Sequence, residues 1–129
     1  MIIYSSLDEN YPRNDAERLY NENKKYLLEI DYSRLEKLLK GNLWAVTVNN
    51  RFYGVIYFEV KDDKWFLSGF SERKAYKYVV KAFNMLCSHY FNLYNIHTIY
   101  SKTEYLHAKL ALKRAGFKQV TSDTFRKEL

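Results

Sequence analysis

The apolar positions of this chain change period twice. From Asn14 to about Ile30 they fall at Ala16, Leu19, Tyr20, Leu27, Leu28 and Ile30 among polar residues, which predicts a helix with one buried stripe. SRLEKLLKGN predicts a second helix burying Leu35, Leu38 and Leu39. Ser33 and Glu36 stand at capping-box spacing, and Gly41 sits where that helix should stop. The opening MIIYSS reads as a short strand. LWAVTV and RFYGVIYFEV then replace the helical period with β-branched and aromatic residues. Asn49-Asn50 between them suits a tight hairpin, KDD turns the chain again, and KWFLSGF is a third strand of this region. From Ser71 to residue 91 the helical period returns, with Ala75, Val79, Phe83, Leu86, Cys87 and Tyr90 in one stripe. IHTIYS predicts a strand, and EYLHAKLALKRAGF a helix with Lys113 and Arg114 near its negative end and Gly116 as its cap. FKQVTSDTFRKEL can supply one or two last strands. The order is that of a mixed α/β (α+β) domain. The helix at 71–91 crosses between neighbouring strands, 64–70 and 96–101, which should therefore lie parallel.

Composition adds limits. A chain of 129 residues without repeats or linkers reads as one domain, 1–129, and its 47% hydrophobic and 28% charged residues are those of a globular protein. No apolar run approaches the length of a membrane helix. MIIYSSLDENYPRND has no basic region followed by an apolar core, so no secretory signal is expected. Cys87 is the single cysteine, which excludes an internal disulfide and fits a reducing compartment, so a cytoplasmic location is expected. The formal net charge of +6 raises the question of an anionic partner. The lysines are scattered, with no lysine run longer than Lys24-Lys25, which describes a solvated basic surface rather than a nucleic-acid interface. His89, His97 and His107 have no metal-ligand spacing with one another or with Cys87, so no metal is expected. Cys87 and His89, two apart on a helix, point to different sides and make no nucleophilic pair. Trp44, Trp65 and the aromatics from Phe52 to Phe58 read as sheet core.

The order of elements, HAKLALKRAGFK with Ala108, Gly116 and Phe117 at family spacing, and Gly54 in RFYGVIYFEV together resemble the GNAT superfamily of acyl-CoA N-acyltransferases. The resemblance covers about residues 43 to 120. It implies a mostly antiparallel sheet with a central splayed parallel pair and about four flanking helices. It also implies transfer of an acyl group, acetyl from acetyl-CoA being the expected case, to an amine on a small molecule or a protein. The pantetheine arm would lie between strands 64–70 and 96–101, along Leu67, Ser68, Gly69 and Phe70. The pyrophosphate would sit over Ser71, Arg73, Lys74, Ala75, Tyr76 and Lys77, where a helix start favours an anion.

Three departures from the family pattern stand out. Tyr76 and Tyr78 occupy the places of small residues in the phosphate loop, Leu112 stands where the family carries a thiolate-protonating tyrosine, and Tyr105 stands for an asparagine. Candidate bases are Glu59 and His97, with Glu104 behind them, and Tyr105 or Tyr100 could serve as the acid. The basic, glycine-poor KWFLSGFSERKAYKYVVKAFNML is also similar to GNAT-like proteins of tailed bacteriophages. That similarity implies an alternative: a catalytically inactive binding or virion-associated module in host cytoplasm or virion, with Tyr76 and Tyr78 packed into the phosphate cradle.

Overall fold

The structure is a computed structural model. It describes the backbone of every residue but Leu28 and Arg73, and every side chain but those two and Tyr26 and Tyr76. Among the described residues β1 (Ile2–Ser5) is followed by α1 (Arg13–Asn23), a short 3-10 turn (Lys24–Tyr26) and α2 (Tyr32–Leu39). Next come β2 (Leu43–Val48), β3 (Arg51–Lys61), β4 (Lys64–Ser71) and α3 (Tyr76–Tyr94). The chain closes with β5 (Thr98–Lys102), α4 (Leu106–Arg114), β6 (Lys118–Gln119) and β7 (Thr124–Glu128). The strands make one sheet in the order β1-β2-β3-β4-β5-β7-β6. β4 and β5 are parallel, and the other neighbours are antiparallel.

Strand alternation sends side chains to two cores, one on each face of the sheet. Val46, Ile56, Phe58, Leu67 and Ile99 pack with α3 and α4. Ala45, Val55, Tyr57 and Phe70 pack with α1 and α2. Both hairpins turn on pairs of residues with positive φ, Asn49 and Asn50 at 52° and 64°, Asp62 and Asp63 at 52° and 61°. That is the left-handed geometry two-residue hairpins need and that Asn and Asp tolerate best after glycine. Gly54 has a packing reason: a Cβ there would lie 2.8 Å from the Phe70 carbonyl oxygen.

Several boundaries differ from the sequence expectation. The first helix stops at Asn23 rather than running to Ile30, because the 3-10 turn and Glu29, with φ of 54°, redirect the chain; Leu28 lies outside the described residues. Helix α3 begins at Tyr76, not Ser71, since β4 continues through Ser71 and Lys74 adopts a left-handed φ of 66°. The expected capping box does not form. Asp31 is the N-cap of α2, and Glu36 is held by Arg13, whose Nε and Nη2 both donate to its carboxylate at 2.9–3.0 Å. A charge-assisted fork outcompetes a single bond to an amide.

Candidate functional site: a cleft through the sheet

β4 and β5 pair at Trp65↔Ile99 and Phe66↔Tyr100. Past that point each strand follows its other neighbour. β3 holds β4 as far as Ser71, and β7 holds β5 as far as Lys102, so the two separate. At the apex the buried Ser101 hydroxyl donates to the Leu67 carbonyl at 2.7 Å. Leu67 therefore turns its backbone toward β5, and alternation turns Gly69 and Ser71 the same way, into the opening. The amide of Glu72 donates to Tyr53 O on the opposite side, as this alternation requires.

The opening is a cleft of about 470 Å³ that passes through the sheet. Val79 and Phe83 of α3 and Ala108, Ala111 and Leu112 of α4 wall it on one face. Tyr57 and Glu59 of β3, Phe66, Ser68 and Phe70 of β4, and Asn23 and Leu27 wall it on the other. Glu59 is the one carboxylate among the described lining residues; its side chain is only 16% exposed and it pairs with Lys61 at 3.3 Å. Burial in the first place, and the Glu59 charge next, hold the Tyr57 phenol well above its ordinary pKa despite its hydrogen bond with Ser68. Tyr57 is thus a neutral hydroxyl beside the carboxylate at physiological pH.

Beyond Ser71 the chain enters α3. Buried Ala75 is the N-cap and makes no side-chain cap, and no acidic residue stands in the first turn. Tyr78 N and Val79 N donate to Ala75 O, while the preceding first-turn amides of Tyr76 and Lys77 have no carbonyl within the helix to reach. Lys74 and Lys77 are exposed beside them. Among the described residues, first-turn amides without a side-chain cap, a helix dipole and two cations make a donor set suited to an anion.

The structure places the expected residues as follows. Glu59, Tyr105, Leu67, Ser68, Gly69, Phe70 and Ser71 line the cleft. Lys74, Ala75 and Lys77 follow Ser71 at the start of α3. Arg73 and the side chain of Tyr76 lie outside the described residues. Tyr78 is not among the lining residues, and its ring lies 4.7 Å from that of Tyr53, centroid to centroid. His97 precedes β5 at the closed end of the parallel pair, its ring edge-on to Phe91 at 5.3 Å and its carbonyl accepting from Leu129 N, and it does not line the cleft. Glu104 is not a lining residue either. The sequence reading passed over Tyr57, Ser101 and His107, all of which line the cleft. Thirteen tyrosines hide one, and a serine or histidine in a strand or helix carries no signal until its neighbours are known.

No family model matches the chain, and the search of curated proteins finds no match. Solved structures do match along nearly its whole length. An aminoglycoside 6'-acetyltransferase type Ii superposes with a TM-score of 0.72 at 18% identity, covering 99% of this chain and 97% of that one. A GNAT-family acetyltransferase from Bacillus anthracis gives 0.70 at 11% identity over 96% and 90% of the two chains. A chimeric spermidine N-acetyltransferase of Vibrio cholerae gives 0.69 at 16% identity over 98% and 94%. Seven strands with one parallel pair and four helices among the described residues, together with these superpositions, give the chain the GNAT fold.

Proposed function

We propose that the protein is an acyl-CoA-dependent N-acyltransferase that moves an acetyl group from acetyl-CoA to an amine. The observation that carries this reading is the cleft through the sheet, which joins an anion-suited helix start to a recessed carboxylate on the opposite face. The residues present fit the carrier. Backbone groups of Gly69 and Ser71 would pair with an extended pantetheine arm. The first-turn amides of α3, with Lys74 and Lys77, would hold its pyrophosphate as point charges and dipoles. Acetyl-CoA when bound supplies an acyl group activated as a thioester. Glu59 takes the proton from the incoming ammonium, and Lys61 at 3.3 Å keeps the carboxylate in place. Tyr57 and Ser68 offer hydroxyls beside it to orient the amine. Leu112 can give no proton to a departing thiolate. Tyr105 and His107, at the start of α4, are the protic side chains of the α4 wall that remain for that step. Loss of a placed acid slows such a reaction by about two to four powers of ten without abolishing it.

A second reading, a non-catalytic binding or virion-associated module, draws on Leu112 in the place of the acid. It also expects Tyr76 and Tyr78 in the phosphate cradle; the Tyr78 ring packs on Tyr53, and the Tyr76 side chain lies outside the described residues. Calorimetric titration with acetyl-CoA separates the two readings: no binding at millimolar carrier defeats the transferase. With binding established, Glu59→Gln should lower kcat by about 10²–10⁴ and leave the affinity for acetyl-CoA unchanged. An unaltered kcat removes Glu59 as the base.

A further inference from the structure

We infer that the amine acceptor is an acidic polypeptide segment, an α-amine or lysine flanked by carboxylates, docked on the open half of the sheet beside the cleft. This rests on the transferase reading above. The apolar cluster beneath α1 and α2 draws its strand residues from β2, β3 and β4, so among the described residues no helix packs on β5, β7 and β6 on that face. Strand alternation and register put the cations Lys61, Lys64, Lys102 and Arg126 on this face, with the carboxylates of Glu59 and, at its far edge, Glu128. Phe66 and Tyr100, rings 5.7 Å apart, are the last pair before the strands part. The Lys61 ammonium lies 5.9 Å from the Phe66 ring centroid and the Lys64 ammonium 5.1 Å from that of Tyr100. Lys61 lines the cleft from β3 and Lys102 from β5, and Lys64 stands over Tyr100 beside the point where the strands part.

The carboxylate and the cations are arranged in depth. Glu59 is recessed at 16% side-chain exposure, whereas Lys61 and Lys102 stand out at 55% and 67%. Lys102 pairs with Asp123 at 3.8 Å and Arg126 with Glu128 at 3.2 Å, but ion pairs this exposed contribute little and exchange readily for a ligand's carboxylate. On this face the recessed Glu59 carboxylate is flanked by the exposed Lys61 and Lys102. Spermidine and aminoglycosides, named for two of the structural neighbours, would bring further positive charges against Lys61, Lys64 and Lys102. An amine followed by Asp or Glu residues brings complementary ones. The occupant is a polypeptide rather than a nucleic acid because an acyl acceptor needs a basic aliphatic amine, and the exocyclic amines of bases are delocalised into their rings.

The test uses the full chain and labelled peptides with free N-terminal amines followed by Asp/Glu, Ser/Gly or Lys residues, together with spermidine and a single-stranded thymidine oligonucleotide. With acetyl-CoA, kcat/KM should favour the acidic peptide over the neutral one by about tenfold, and the preference should fall as salt rises. Lys64→Glu with Lys102→Glu, both on exposed positions, should reverse the preference toward the lysine peptide with the melting temperature retained. Equal or better acetylation of spermidine or the lysine peptide overturns the inference, as does a preference unchanged in the double variant. Fluorescence anisotropy without acetyl-CoA reads docking alone. Tighter binding of the oligonucleotide than of the acidic peptide overturns the inference. Selective binding of the acidic peptide with no transfer to any acceptor refutes the transferase and retains the docking surface.

Discussion

Replacing Ser101 by alanine should loosen the point on which the cleft depends. The hydroxyl is buried and donates to Leu67 O at 2.7 Å, just where β4 and β5 stop pairing. Alanine differs by one oxygen atom, so cavity and transfer terms are small and the hydrogen bond dominates. A neutral bond of this kind contributes about 1 kcal/mol net, and a carbonyl left dry costs about 1–3 kcal/mol. Leu67 and Ser101 both line the cleft, so water can replace the lost hydroxyl and the low end applies. The expected loss is about 1 kcal/mol, read as a lower urea midpoint at unchanged m-value and a melting temperature lower by roughly 3–5 °C. With the apex unpinned, the spacing of the strands changes and acetyl-CoA should bind more weakly. A stability within about 0.3 kcal/mol of wild type, together with unchanged acetyl-CoA affinity, would refute the argument that Ser101 sets the opening.

Three further outcomes follow from the packing. Tyr20 is fully buried, and its hydroxyl lacks a well-formed hydrogen bond among the described residues, so Tyr20→Phe should leave thermal stability equal or raise it by up to about 1 kcal/mol. A clear loss on calorimetry would mean that the hydroxyl is satisfied in solution. Lys74 holds a φ of 66° on an exposed turn, and Lys74→Gly should gain about 0.5 kcal/mol, the relief of left-handed strain exceeding the added entropy of the unfolded chain; a lower melting point would contradict it. Burial raises the phenols of Tyr11, Tyr32, Tyr57 and, to about 12, Tyr90. In the unfolded chain they ionise near pH 10 while the folded state keeps them protonated. Stability is thus full below about pH 10 and falls above it by about 1.4 kcal/mol per pH unit for each group. Urea titrations between about pH 9 and pH 11 check this, and a flat stability over that range would sink it.

Local chemistry was enough to read the order of elements from the residues. Asn49-Asn50 and the KDD turn place the hairpins because few residues accept positive φ there. The stripe from Ala75 to Tyr90 needs one face of a helix. The crossing helix between β4 and β5 makes that pair parallel, since a helical crossover brings the chain back in the same direction. What failed in the sequence was settled by distant partners. Glu36 sits at capping-box spacing, yet Arg13, 23 residues away, takes its carboxylate. Tyr78 occupies a small-residue place in the family pattern, yet its ring packs against Tyr53, 25 residues earlier in the chain.

The cleft divides in the same way. The residues alone showed that strand 64–70 runs into a basic helix start, and hence that the backbone there could meet an anion. Where β4 and β5 part is set by the folded sheet, because it depends on β3 and β7 each holding one of them. The sheet also decides that Glu59, and not His97, shares the opening with Ser101, since a strand residue's partners are set by register across the sheet. Register arises from the packing of two cores on opposite faces, a non-local balance that no window of sequence contains.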